Sequence, residues 1–79
     1  MEVYYTDYAE ETLKDREISK ENVELALLKP IVLSDGKSGR KIAHRLFGDK
    51  LLRVVFETGA KAYIVITAYY TKPERYIWK

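Results

Sequence analysis

The sequence has no cysteine, one histidine, two prolines and four glycines. Without thiols there are neither disulfide staples nor thiolate metal ligands, and the lone His44 cannot build a polyhistidine cage, so no metal or other cofactor is expected. The missing cysteine fits a reducing compartment. No apolar run approaches the roughly 18 residues of a membrane-spanning helix. The acidic, aromatic start Glu2-Val-Tyr-Tyr has nothing of a signal peptide. The expectation is a soluble cytoplasmic protein with no membrane partner.

The 79 residues suffice for one domain, residues 1–79, and contain no repeat or linker. Seven tyrosines, two phenylalanines and one tryptophan supply large side chains for a small interior. The net charge of +2 hides a division: residues 1–35 hold nine acidic and four basic side chains, residues 36–79 three acidic and ten basic. Gathered on one exposed face, the basic half would suit phosphate or an acidic protein partner. Scattered round the rim of a sheet, it would chiefly maintain solubility.

Residues 2–5 read as a short strand. Asp7 and Glu10 have the spacing of a capping box, with Thr6 the competing N-cap, and Tyr8, Ala9, Thr12, Leu13 and Arg16 share one side of the helix that follows. This helix ends near Arg16 or Glu17, with Ile18 packed under the corner. Ser19 caps a second helix whose apolar stripe is Val23, Ala26 and Leu27, closed by Pro30. A strand begins at residues 31–33, and further strands span residues 40–47, 51–58 and 61–70, separated by turns at Gly48-Asp-Lys50 and Gly59-Ala60.

Alternation in residues 40–47 sets Ile42, His44 and Leu46 on one face, the more apolar one and so the one expected to meet the helices, with Lys41, Ala43, Arg45 and Phe47 opposite. In residues 61–70, Ala62, Ile64, Ile66, Ala68 and Tyr70 alternate with Tyr63, Val65, Thr67 and Tyr69, and both faces are apolar enough for an interior strand. The expected fold class is α+β: a mainly antiparallel sheet of four or five strands with an N-terminal helical hairpin packed on one face. The segment Asp35-Gly-Lys-Ser-Gly-Arg40 contains Gly-Lys-Ser, but it lacks the earlier glycine of a phosphate loop and leads into a strand, so it reads as a hairpin turn.

Three stretches together, Tyr5-Thr-Asp-Tyr-Ala-Glu-Glu-Thr-Leu-Lys-Asp-Arg-Glu-Ile-Ser19, Leu51-Leu-Arg-Val-Val-Phe56 and Val65-Ile-Thr-Ala-Tyr-Tyr70, resemble a family of small uncharacterised domains similar to the RelE/ParE toxin superfamily. That family commonly places a histidine before alanine on the first helix, an arginine four positions on, and a second arginine four positions further, before Ile-Ser. Here those places hold Tyr8, Thr12 and Arg16, so only the last basic residue remains. The resemblance implies a toxin-like domain: RelE-like members cleave messenger RNA on the ribosome without metal, and ParE-like members inhibit gyrase. By strand order and tail position it implies Arg45, Arg53 and Tyr76 as catalytic candidates, with Arg75 beside them.

The residue chemistry suits phosphate. Arg45 and Arg53 offer planar bidentate forks. Lys41, Tyr69, Lys72 and Arg75 add charge and a stacking surface for nucleic acid, and Tyr76 could orient a base or a 2′-hydroxyl. His44 is the one side chain that titrates near neutrality and so the first general acid–base candidate, although its alternation suggests a packed residue instead. Arg53 has a competing reading as an ion pair with Glu57. The expected function is RNA binding with metal-independent, ribosome-dependent cleavage of messenger RNA. The alternatives are a noncatalytic protein-binding or self-associating domain and a ParE-like gyrase inhibitor. The corresponding partners are RNA or the ribosome, a small antitoxin, or a second copy in a homodimer.

Overall fold

Thr6 is where strand gives way to helix. In the computed structural model, which describes residues 2–75 with the side chain of Arg75 excepted, β1 (Glu2–Tyr5) runs parallel to β5 (Ala62–Thr71). The Thr6 N–H donates to the Val65 carbonyl at 3.1 Å, and the Thr6 hydroxyl accepts from the Ala9 N–H at 3.0 Å, capping α1 (Asp7–Asp15). Thr6 prevails over Asp7 as the cap because its backbone is already fixed by the sheet. Ser19 caps α2 (Lys20–Leu28) as expected, accepting from the Asn22 N–H at 3.1 Å.

Between the helices the chain turns on Glu17, whose φ is 55°. Ile18 N–H donates to the Leu13 carbonyl at 2.9 Å and Glu17 N–H to that of Lys14 at 3.2 Å, the two bonds of a Schellman motif. Ile18 is buried under this corner, where it was expected. The motif usually places glycine at the left-handed position, and here a glutamate occupies it.

After α2 come β2 (Val32–Asp35), β3 (Lys41–Phe47) and β4 (Lys50–Thr58). The sheet order is β1-β5-β4-β3-β2, and every pairing except β1 with β5 is antiparallel. The fold is therefore α+β, two N-terminal helices on a mixed, mostly antiparallel five-stranded sheet. Ala9, Leu13, Val23, Ala26 and Leu27 of the helices bury against Ala43, Leu52, Val54, Phe56, Val65 and Ala68 of the sheet. Full burial of each Leu, Val or Phe is worth about 1.5–3 kcal/mol.

Two features of this core depart from what the sequence leads one to expect. On β3 it is Ala43 that faces the helices, at 0% exposure, so Ile42, His44 and Leu46 lie on the second face of the sheet. The small side chain admits close approach of the helices, and the flanking Arg45 and Phe47 cover the same face with their apolar parts. On β5, Val65 pairs with Phe56 and Thr67 with the adjacent Val55, leaving Ile66 as an extra, bulged residue. Parity reverses there, so Ala68 and Tyr70 share the helix side with Tyr63 and Val65.

We expect Glu17→Gly to raise stability by about 1 kcal/mol in chemical denaturation, because the left-handed conformation costs a side chain about 1–2 kcal/mol and glycine's backbone entropy offsets part of the gain. Glu17→Ala keeps the Cβ and should show no such gain.

A candidate anion site on the second sheet face

The two-residue turn at Gly48-Asp49, with Gly48 at φ 64°, sets Phe47 opposite Lys50. Positive φ at the first central residue is what such a hairpin needs, and glycine supplies it without a steric cost. Counting back along this ladder places His44 opposite Arg53, and the β4–β5 register places Arg53 opposite Tyr69. With Val32 opposite His44 on β2, one row crosses four strands on the face away from the helices.

The row is joined by hydrogen bonds. Arg53 Nε donates to His44 Nε2 at 3.0 Å, and Arg53 Nη1 donates to the Tyr69 hydroxyl. The guanidinium also lies 5.4 Å from the centre of the Tyr69 ring, within cation–π range. His44 Nδ1 stands 3.2 Å from the Val32 carbonyl oxygen. Arginine has no acceptor, so His44 Nε2 must present its lone pair, and the ring proton then resides on Nδ1 and is donated to Val32. The imidazole is thus a neutral Nδ1–H tautomer. Burial holds the His44 pKa below its usual value, and the adjacent Arg53 charge acts in the same direction, opposed by the bond to Val32. Only 3% of His44 is exposed, whereas Arg53 and Tyr69 are half-buried.

The other candidates do not join this row. Arg45 lies on the helix side, one strand position from His44 and across the sheet from Arg53, so the two arginines cannot grip one phosphate together. Its Nη1 donates to the Lys29 carbonyl at 2.7 Å, closing the C-terminus of α2, and its guanidinium sits 5.9 Å from the Phe47 ring centre. Its Nε is buried without a hydrogen-bond partner among the described residues. Lys41, also on the helix side, pairs with Asp35 at 2.9 Å. Arg16 donates to the Ala68 carbonyl at 3.1 Å, which serves β5 beyond the end of β1 rather than any acid nearby. Glu57 takes Arg40 at 3.3 Å, not Arg53.

Lys72 is exposed just past β5, and Arg75 ends a short 3-10 turn with its side chain outside the described residues. Tyr76 lies outside the described residues altogether. Of the sequence candidates, Arg53 and Tyr69 are brought together, and their partner is His44, which shares a face with Ile42 and Leu46 as alternation gives but on the side away from the helices. The signal that finds it is the turn: a two-residue reversal at Gly48-Asp49 fixes His44 against Arg53 by arithmetic. Among the described residues no three His, Cys, Asp or Glu side chains gather as a metal site, and no pocket is enclosed.

The lowered His44 pKa has a definite sign. Below the ordinary histidine pKa of about 6.5 the unfolded chain takes up a proton that the native row resists, so stability contributed by His44 is present above that pH and is lost as pH falls toward the native pKa. Urea midpoints of the wild type should therefore decline more steeply from pH 7.5 to 5.5 than those of His44→Gln, and parallel profiles would refute the neutral, Arg53-bonded imidazole. No family model, curated protein or solved structure matches this chain, and its function is therefore read from the chemistry of this row.

Proposed function

We propose that the chain is a RelE/ParE-like toxin domain that binds single-stranded RNA on the second face of its sheet and cleaves it without metal, on messenger RNA exposed at the ribosome. The observation that carries this reading is the Arg53 guanidinium fixed between an imidazole and a phenol. A guanidinium oriented in advance loses little entropy on meeting a phosphate, and the two groups beside it are of the types that move protons. The family part of the reading rests on the sequence resemblance; the architecture, two helices on a mixed, mostly antiparallel five-stranded sheet, is of the α+β class that the resemblance implies.

Cleavage needs a base at the 2′-hydroxyl, an acid at the leaving 5′-oxygen and positive charge at the phosphorus-bound oxygens. A phosphodiester drawing Arg53 onto its non-bridging oxygens frees His44 Nε2, which accepts the 2′ proton. The 2′-oxygen bonds phosphorus, the bond to the 5′-oxygen breaks, and the Tyr69 hydroxyl protonates the departing oxygen. Arg53 favours the transient phenolate and the charge on phosphorus alike. Tyr69 also offers its ring for stacking on a base.

Cleavage of a defined messenger RNA during active translation tests the reading. We expect His44→Gln to lower the rate by about 100-fold or more while RNA binding in a mobility-shift assay persists, as befits loss of a general base. Arg53→Lys, which keeps charge but not the planar fork, should weaken both cleavage and binding. Tyr69→Phe should retain stacking and lose rate. A folded Arg53→Lys protein with unchanged RNA affinity, or wild type that neither binds nor cleaves RNA, would overturn the proposal.

A further inference from the structure

Among the described residues six large apolar side chains are exposed, and four of them, Leu28, Ile31, Val32 and Leu33, follow the end of α2 into β2. β2 is the outermost strand of its edge, so among the described residues one side of its backbone pairs with no strand of this sheet. The Gly36 N–H donates to the Arg40 carbonyl at 2.8 Å, which marks that pair as a bonded one. Antiparallel alternation then turns the peptide groups of Ser34 and Val32 toward β3 and those of Leu33 and Asp35 outward. Val32 stands on the second sheet face, opposite His44, and Leu33 on the helix side, opposite Ala43. An arriving strand would meet an aliphatic side chain on either face.

Natural sheet edges are ordinarily blunted by a charge, a proline or a bulge on the strand itself. β2 carries no proline and no bulge in its ladder, and its one charge, Asp35, is held by Lys41. The cations instead bracket the strand. Lys29 precedes it and Lys37 follows it, both exposed and neither in an ion pair among the described residues.

We propose that β2 is a docking edge for an extended segment of a partner protein, an aliphatic strand with a carboxylate side chain near each end, added to the sheet beside β2. Main-chain bonds to Leu33 and Asp35 would hold it, the aliphatic side chains would cover Val32 and Leu33, and the carboxylates would meet Lys29 and Lys37. A second copy of this chain is the poorer occupant. It brings the same two cations to the same four-residue strand, so like charge gathers around a short contact. The edge is separate from the Arg53 row in its chemistry, and either can fail alone.

Amide NMR of the isotope-labelled chain, titrated with the capped peptide Glu-Val-Thr-Val-Thr-Val-Glu, tests this. The Leu33 and Asp35 amides should shift and exchange more slowly with solvent, while the Arg53 amide stays in place. Replacing both glutamates by lysine should weaken binding at least tenfold, as should Leu33→Lys, an exposed substitution whose unchanged remaining spectrum reports an intact fold. Absence of shifts along β2, equal binding of the two peptides, or shifts centred on Arg53 would overturn the proposal. Concentration-dependent changes at β2 without peptide would also overturn it, in favour of a second copy.

Discussion

One extra residue in β5 governs what each face of the sheet displays. Up to Val65 the strand presents Tyr63 and Val65 to the helices, and strict alternation would next present Thr67 and Tyr69. The bulge at Ile66 reverses this, so Ala68 and Tyr70 enter the helix-side core and Tyr69 turns to Arg53. A sheet without the bulge would set a tyrosine hydroxyl and a guanidinium on opposite sides. The bulge is also where other elements take hold: Thr6 bonds the Val65 carbonyl, its hydroxyl reaches the Ile66 carbonyl at 3.5 Å, and Arg16 takes the Ala68 carbonyl. These contacts tie the carbonyls of β5 that β1 is too short to reach, as buried backbone groups require.

Among the described residues the division of charge between the two halves of the chain does not become one basic face. Arg45 and Lys41 project to the helix side and Arg53 to the other, while Arg40 and Lys41 meet carboxylates. Arg45 illustrates how position decides the role of a side chain. Set on the helix side at the end of α2, it bonds the carbonyl of the C-cap residue Lys29 and sets its guanidinium near the Phe47 ring, which is the work of a cap. Arg53, in the middle of β4, has neighbours that orient it across strands instead. At the opposite rim, Lys20 lies 4.7 Å from the Tyr5 ring centre and pairs with Glu10 at 2.7 Å, while Tyr5 donates to Glu24. Glu24 thus ties β1 to α2 through Tyr5, and Glu10 ties α1 to α2 through Lys20.

Local chemistry was legible wherever it is decided locally. Ser19 as a cap, Ile18 under the corner and a reversal after Phe47 follow from residue type and short spacing, although the turn is one residue shorter than expected because Lys50 already pairs with Phe47. The first sheet face was misread because Ile42 and Leu46 outweigh Ala43 in any apolar count, whereas the helices need a small residue at that point more than two large ones. The bulge leaves no glycine or proline at Ile66 to announce it. The parallel seat of β1 beside β5 depends on where a strand sixty residues away comes to lie, which no window of sequence contains. The site inherits both errors: His44 was placed on the wrong face by the first, and Tyr69 met Arg53 only through the second.

A His–Arg–Tyr row within a small sheet is an expensive way to fill space. Replacing buried charged groups with apolar ones of similar volume is often neutral or stabilising, and a domain of this size has little stability in reserve. The neighbouring positions show what the sheet uses where no polar group is needed: Leu51 is fully buried, and Val55 and Ile42 accompany it on the same face. Each polar member of the row also constrains the others. His44 can accept from Arg53 only while neutral, and it stays neutral because it is buried beside that charge. Such mutual dependence gives a defined orientation and protonation state, which packing alone does not require. Those two properties are what the proposed site, meeting a phosphate and moving a proton, needs in advance.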